Sequence, residues 1–257
     1  MRARRLVAAV PVAVAVLWVV AVGPSAGRAS TTGPSSRDTS ALRGDPTRGR
    51  ALYQTGCSSC HGLAGEGTDQ APSLRRVGAA SVDFYVSTGR MPADQPEDQA
   101  PRKKPAYSRR QTDDLVAYVA STFGRGGPGI PRLDPADGDL SLGNQLYSLN
   151  CAACHNSAGS GGALGHDTFA PALTSATPRQ VAEAIRVGPG AMPVFGPSTL
   201  SDHQVKAIMR YTQQLRRPDD RGGLSLGRVG PITEGFVAWL VGLGALLLAA
   251  RLIGTNR

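Results

Sequence analysis

Two copies of one short motif carry the chemistry that this sequence is equipped to perform. Each copy has two cysteines separated by two residues and followed directly by histidine: Cys57-Ser-Ser-Cys60-His61 and Cys151-Ala-Ala-Cys154-His155. Residues three apart lie on one face of a helical turn, so both sulfurs can form thioethers with one porphyrin edge. The adjacent histidine can then bind the iron as proximal ligand. The motif therefore predicts two covalently bound haem c groups.

Other uses of paired cysteines fit this spacing less well. The pairs of a four-cysteine zinc ribbon lie about 15 to 20 residues apart, whereas residues 61 to 150, a gap of 90, separate these pairs. A thioredoxin-like redox pair or two disulfides would suit an exported chain, but neither requires a following histidine. The chain has only 4 histidines, so a histidine after both pairs favours haem.

The sixth iron ligand is predicted to be Met91 in the first copy and Met192 in the second. They follow the motif histidines by 30 and 37 residues, and proline follows each of them. Methionine closes the coordination shell and raises the reduction potential, as an electron carrier requires. Met209 falls in a helical pattern and is predicted to pack in a core. His166 and His203 are the alternative ligands in the second copy.

The two motifs belong to a sequence that is repeated at an offset of 94 residues. Gly49 and Tyr53 precede the first motif at the same spacing as Gly143 and Tyr147 precede the second. At this i, i+4 spacing, a glycine allows close approach of another helix beside an aromatic ring. The terminal-helix residues predicted to complete these contacts are Tyr118 and Tyr211.

Each copy ends in an amphipathic helical pattern with an N-cap signal. Thr112-Asp-Asp precedes Leu115, and Ser201-Asp precedes Val205, with the acidic residues placed to favour a helix start. Alternation with a period of two is scarce. We therefore predict a mostly α-helical fold with little or no sheet.

Two apolar segments bracket the chain. The first follows Met-Arg-Ala-Arg-Arg and ends in small residues, as a secretory signal does, although an uncleaved anchor has the same flanks. The second reaches from Ile232 to Gly254 and is long enough for a membrane helix if Arg251 extends to the headgroups. Arg251 and Arg257 predict a cytoplasmic C-terminus, with the middle of the chain on the outer face of the cell membrane.

These signals divide the chain into seven parts. The predicted parts are a signal peptide or N-terminal membrane segment (1–29), a disordered tether (30–48), a first domain (49–124), a linker (125–138), a second domain (139–217), a hinge (218–230) and a transmembrane helix (231–254). The polar loop from Ala93 to Arg110 is either a docking surface or a solvated insertion, and the second reading is slightly favoured.

The formal charge of +9 does not indicate nucleic-acid binding. Six of the 28 basic residues lie in the terminal segments, which leaves 22 against 19 acidic residues, or about +3 between the tails. These terminal residues are Arg2, Arg4, Arg5, Arg28, Arg251 and Arg257. The basic excess therefore reflects membrane topology.

Both copies resemble class I cytochrome c domains, in which the first helix crosses the last and a distal methionine faces the motif histidine. The resemblance predicts two tandem domains of this type plus the C-terminal membrane helix. It also implies that the carbonyls of Pro72 and Pro171 accept hydrogen bonds from His61 and His155, which would orient both imidazoles.

The wider sequence resembles the dihaem cytochrome c subunit (cytochrome cc) of the actinobacterial quinol:cytochrome c reductase. The resemblance rests on Arg90-Met-Pro, Gln99-Ala-Pro-Arg-Lys-Lys-Pro, Leu115-Val-Ala-Tyr-Val-Ala-Ser and the stretch from Gly222 to Leu240. It implies three partners: a cytochrome b subunit, a Rieske iron-sulfur protein that donates electrons, and an aa-type oxidase whose copper centre accepts them.

Two other functions remain open from the residues alone. The chain could serve a different membrane oxidoreductase, or it could be a dihaem peroxidase-type enzyme with one five-coordinate haem. No triad, phosphate-binding loop or carboxylate pair in the sequence indicates an independent active site. An electron-transfer subunit is therefore the leading hypothesis.

Overall fold

The computed structural model describes residues 44–95, 99–165, 168–217 and 231–255. The first domain contains the helices α1 (Pro46–Gly56), α2 (Ser58–His61), α3 (Gly78–Ser87) and α4 (Arg109–Thr122). The second domain contains α5 (Leu140–Asn150), α6 (Ala152–His155), α7 (Pro178–Val187) and α8 (Asp202–Arg216). The segments predicted at 1–29 and 218–230 lie outside the described residues, as does His166.

Extended structure is confined, within the described residues, to one small ladder in the second domain. Strand β1 (Gly162–Ala163) pairs antiparallel with β2 (Phe169–Ala170). Short 3-10 turns cover Pro135–Asp137 and Leu173–Ser175. The mostly helical fold expected from the sequence is confirmed.

Two helices begin earlier than the sequence pattern predicts. The α1 helix starts at Pro46, because Asp45 caps it by accepting from the Thr47 backbone amide at 2.8 Å. The predicted tether therefore ends before residue 48. The α4 helix starts at Arg109 because Ser108 forms a capping box with Gln111, so the predicted cap at Thr112 was wrong. Ser201 caps α8 as predicted.

The first and last helices of each domain cross at a glycine. A Cβ atom on Gly49 would lie 2.0 Å from the backbone oxygen of Asp114 on α4. A Cβ atom on Gly143 would lie 2.2 Å from the backbone oxygen of Ala207 on α8. Only glycine permits the α1–α4 and α5–α8 pairs to approach this closely, which confirms the predicted role of the repeated glycines.

A repeated tyrosine joins each crossing to the motif that follows it. The Tyr53 hydroxyl donates to the Gly62 carbonyl at 2.6 Å, and the Tyr147 hydroxyl donates to the Asn156 carbonyl at 2.7 Å. Both tyrosines are almost fully buried. The predicted ring contacts are also present, with centroid distances of 5.5 Å for Tyr53–Tyr118 and 5.3 Å for Tyr147–Tyr211.

The two domains meet where α3 packs against α7. Both side chains of a buried acidic pair, Asp83 on α3 and Glu183 on α7, are 0% exposed. Gln99 also pairs with the backbone of Phe169 through two hydrogen bonds of 2.5 and 3.0 Å. Within the loop from Ala93 to Arg110, Gln99 therefore docks on the second domain, whereas most of the other described loop residues are exposed.

The C-terminal segment is a continuous apolar helix. It comprises α9 (Pro231–Val237), a π-helical turn (Ala238–Leu243) and α10 (Gly244–Thr255). The part from Thr233 to Gly254 has 22 residues and is long and apolar enough to cross a membrane. At 1.5 Å per residue it spans about 33 Å, against about 30 Å of hydrocarbon. Its large apolar side chains are exposed, as a membrane helix requires.

Candidate functional site

The first motif forms a short turn directly after α1. Cys57 ends α1 by donating its amide to the Tyr53 carbonyl at 2.9 Å, and its own carbonyl accepts from the His61 amide at 2.9 Å. His61 is 8% exposed, and its Nδ1 donates to the Pro72 carbonyl at 2.8 Å. A carbonyl only accepts, so Nδ1 carries a proton and Nε2 is the ring nitrogen left for another partner. That nitrogen is available as an iron ligand.

The second motif repeats this arrangement. The His155 amide donates to the Cys151 carbonyl at 2.8 Å, and His155 Nδ1 donates to the Pro171 carbonyl at 3.0 Å. Burial lowers the pKa of His155, and the hydrogen bond to Pro171 opposes this only in part. The imidazole is therefore neutral at physiological pH, which is the protonation state that binds a metal.

Burial sets the chemistry of the first cysteine in each motif. It raises the pKa of Cys57 and Cys151 to about 11, and the second cysteine of each motif adds a smaller contribution. Redox-active cysteines instead have a lowered pKa and react as thiolates. Neither pair forms a disulfide. These thiols are suited to permanent attachment of a group rather than to redox exchange.

A cavity of about 530 Å³ lies beside the second motif. Cys151, Cys154, His155 and Met192 all line it, so the predicted attachment residues and axial ligands face one space. Most of the remaining lining is apolar, and it includes Leu164, Leu173, Val181, Ile185, Phe195 and Ile208. A large apolar group that contains iron and takes two ligands from the protein fits this lining.

The first domain places its predicted ligands around one apolar cluster. Cys57 and Met91 are half-buried and pack against a core that contains Tyr53, Leu115 and Val119. This grouping matches the second domain, where Met192 packs against the main core cluster. Of the other candidate ligands, Met209 is buried in the core at 1% exposure, and His203 is exposed in the first turn of α8.

Sequence reasoning missed a group of first-domain residues that also line the second cavity. They are Phe84, Tyr85, Arg90, Gln99, Ala100 and Arg102. A break in the internal repeat could have revealed one of them, because Arg90 precedes Met91 whereas Ala191 precedes Met192. The second site is therefore built from both domains.

The acidic pair between the domains was also missed. Asp83 forms ion pairs of 2.6 Å with Arg109 and with Arg179, and Arg179 also binds Glu183 at 3.0 Å. Burial raises the pKa of Glu183, and the adjacent Asp83 carboxylate raises it further, to about 9. Burial also opposes ionisation of Asp83, but hydrogen bonds from Glu183 and Arg109 hold its pKa below the ordinary value. At neutral pH the pair thus shares one proton, held by Glu183.

The free energy of unfolding of the wild type is expected to decrease at alkaline pH, and the Glu183→Gln variant is expected not to show this decrease. The folded-state pKa of about 9 lies above the ordinary 4.5. The carboxyl therefore stabilises the fold fully below pH 4.5, and this contribution is lost as the pH rises through about 9. Chemical denaturation from pH 7 to pH 10 should show the wild type losing about 2 to 3 kcal/mol relative to Glu183→Gln.

The control for this experiment is Asp69→Asn, at an exposed position of the first domain. Its pH profile should follow that of the wild type. An alkaline decline of equal size in Glu183→Gln and the wild type would show that another group is responsible.

Two helical domains, each with a Cys-x-x-Cys-His turn and a methionine packed against its apolar core, define a c-type cytochrome. Matches to family models agree: residues 46–123 match "Cytochrome c", and residues 138–211 match "Cytochrome C oxidase, cbb3-type, subunit III". The chain is a two-domain electron-transport protein with two covalently bound haem c groups.

Curated relatives identify the particular family. The chain is 39% identical over 228 residues to the cytochrome bc1 complex cytochrome c subunit of Corynebacterium diphtheriae, covering 81% of this chain and 80% of the relative. It is 39% identical over 257 residues to the Mycobacterium leprae subunit of the same name, covering 93% and 86%. The chain belongs to the family of cytochrome bc1 complex cytochrome c subunits.

A more distant relative comes from another type of membrane complex. The cbb3-type cytochrome c oxidase subunit CcoP of an Azospirillum species is 28% identical over 189 residues, covering 65% of this chain and 61% of the relative. Its identity and coverage are lower than those of the bc1 subunits, so the bc1 family describes this chain better.

Proposed function

We propose that each cysteine pair forms the thioethers to one haem c and that histidine and methionine bind the iron axially. The attachment residues are Cys57 and Cys60 in the first domain, and Cys151 and Cys154 in the second. The axial ligands are His61 with Met91, and His155 with Met192. Bound haem c supplies an iron that accepts and releases one electron. The protein attaches it, orients the imidazoles through Pro72 and Pro171, and excludes water.

The observation that supports electron transfer between the two haems is that residues of both domains line the second cavity. Because first-domain residues line that cavity, the two haem domains are held against each other rather than tethered loosely. The ion pair between Arg179 on α7 and the buried Asp83 on α3 strengthens this contact. One haem can therefore pass an electron to the other within a single chain.

We further propose that the relay connects a quinol-oxidising complex to a terminal oxidase. A Rieske iron-sulfur protein next to a cytochrome b subunit would supply the electron, and the copper centre of an aa-type oxidase would accept it. Support comes from the bc1 relatives and from the membrane helix, which would hold the domains beside membrane-bound partners. Purified native complex should contain all three partners, and absence of cytochrome b and the Rieske protein would overturn this assignment.

The proposed topology places both haem domains on the outer face of the membrane. Arg251 and Arg257 lie at the C-terminal end of the membrane helix, and basic residues favour the cytoplasmic side. Protease added to intact spheroplasts should then digest the haem domains and leave a C-terminal tag protected. If the haem domains are protected from the protease instead, the orientation in the membrane is the opposite of the one proposed.

Replacing Cys57 and Cys60 together with alanine is expected to reduce the covalent haem content from two groups to one. Without the two sulfurs the first domain cannot form thioethers, whereas the second motif is unchanged. Intact-protein mass spectrometry under denaturing conditions measures the number of attached haems. The matched variant carries alanine at Cys151 and Cys154 and should also retain one haem. Two attached haems in either variant would contradict the assigned sites.

A further inference from the structure

Two guanidinium groups of the first domain face the cavity of the second domain. Arg90 and Arg102 both line this cavity, whereas its described lining contains no aspartate or glutamate. The only other basic side chain among the described lining residues is His155, whose imidazole is assigned above to the iron. The polar part of this cavity is therefore positively charged and complements an anionic group.

The Arg90 side chain is half-buried, and the described lining of the cavity offers it no acidic partner. Its Nη1 atom is buried without a hydrogen-bond partner among the described residues. Its guanidinium carbon lies 4.9 Å from the centre of the Phe84 ring, which holds the group in place but does not neutralise it. A half-buried cation without a counter-ion costs free energy, so an anion bound at this place would stabilise the arrangement.

Arg102 is positioned from the second domain. Its Nη2 donates to Gln180 Oε1 at 3.2 Å, and the same oxygen accepts from the Thr177 backbone amide at 3.1 Å. Gln180 belongs to the capping box of α7. Docking of the domains therefore fixes the Arg102 side chain beside the cavity.

The internal repeat assigns Arg90 to the interface between the domains rather than to a standard haem domain. Arg90 precedes Met91, but alanine stands at the corresponding position before Met192. A residue needed by every domain of this type would be expected in both copies. Its presence in the first copy alone agrees with a role at the second cavity.

We propose that Arg90 and Arg102 of the first domain bind the propionate carboxylates of the haem held in the second domain. The proposal rests on the haem assignment above. Arginine suits this role because its planar donors pair with carboxylates in a bidentate manner. The first domain thereby sets the charge around the second haem, and domain docking tunes that haem's reduction potential.

The test is a redox titration of the full-length protein followed by visible absorbance. Arg90→Gln removes a positive charge that disfavours the oxidised iron, so the reduction equilibrium constant of the second haem should fall about tenfold, or about 59 mV for one electron. Arg102→Gln should act in the same direction. Arg90→Lys keeps the charge and should restore most of the wild-type value.

The two titration steps are assigned with Met192→His, since methionine ligation raises the potential and its replacement lowers only the second haem's step. The control is Arg210→Gln, which removes the same charge from an exposed position on α8 and should leave both steps unchanged. A shift confined to the first haem, no shift, or an equal shift in Arg210→Gln would overturn the proposal.

Failure of this inference can be distinguished from failure of the haem assignment. If mass spectrometry shows two covalent haems but Arg90→Gln leaves the second step unchanged, only the propionate contact is wrong. If fewer than two haems are attached in the wild type, the assignment itself fails.

Discussion

Replacing Gly143 with alanine is expected to destabilise the second domain by about 2 to 3 kcal/mol. Elsewhere in a helix this change would favour folding by about 1 kcal/mol, because alanine is the better helix former. Here the new Cβ would lie 2.2 Å from the backbone oxygen of Ala207. Backbone cannot rotate away as a side chain can, so α5 and α8 must separate, and the core around Ile208 loses its packing.

Gly49→Ala is the matched variant in the first domain, where the Cβ would lie 2.0 Å from the Asp114 oxygen. Chemical denaturation followed by circular dichroism measures both effects. The control is Gly196→Ala, because the nearest atom to its Cβ would be 4.0 Å away. Wild-type stability in Gly143→Ala would show that the helices can cross without a glycine.

Replacing Met192 with alanine is expected to lower the reduction equilibrium constant of the second haem about 100-fold, or about 120 mV at 59 mV for each factor of ten. Methionine ligation raises the potential of a haem iron, and its loss opens a coordination position. The reduced variant should therefore bind carbon monoxide at one haem, which the wild type should not do. Met91→Ala should have the same effect on the first haem.

Met209→Leu is the control, since this methionine is 1% exposed in the core and leucine has a similar volume. It should leave both potentials unchanged and bind no carbon monoxide. Retention of the wild-type potentials in Met192→Ala would exclude that residue as a ligand. Carbon monoxide binding by the wild type would instead favour the peroxidase-type alternative.

The errors of sequence reasoning were local and have a common physical cause. The acidic pair after Thr112 suggested a helix start, but Ser108 with Gln111 satisfies the first backbone amides one turn earlier. Asp45 likewise extends α1 into the predicted tether. Several residues near a helix end can act as caps, and their sequence does not show which one accepts the hydrogen bond.

The repeat predicted each domain well but did not predict how the two domains meet. Asp83 and Arg179 are 96 residues apart in the chain, yet they form a hydrogen bond of 2.6 Å. Neither residue belongs to a motif or to an apolar periodicity that would connect them. Arg102 and Gln180 are likewise 78 residues apart in the chain and form a hydrogen bond of 3.2 Å.

The amino-acid sequence by itself determined the chemistry that depends on local spacing. Two Cys-x-x-Cys-His motifs, two methionines followed by proline, the glycine–tyrosine repeat and the apolar C-terminal segment were sufficient to predict a membrane-anchored dihaem cytochrome. Only the tertiary structure decided which parts of the two copies touch. Packing of α3 against α7 brings Arg90 and Arg102 to the second cavity. That contact breaks the symmetry of the repeat, because it depends on the shape of two folded surfaces rather than on spacing along one chain.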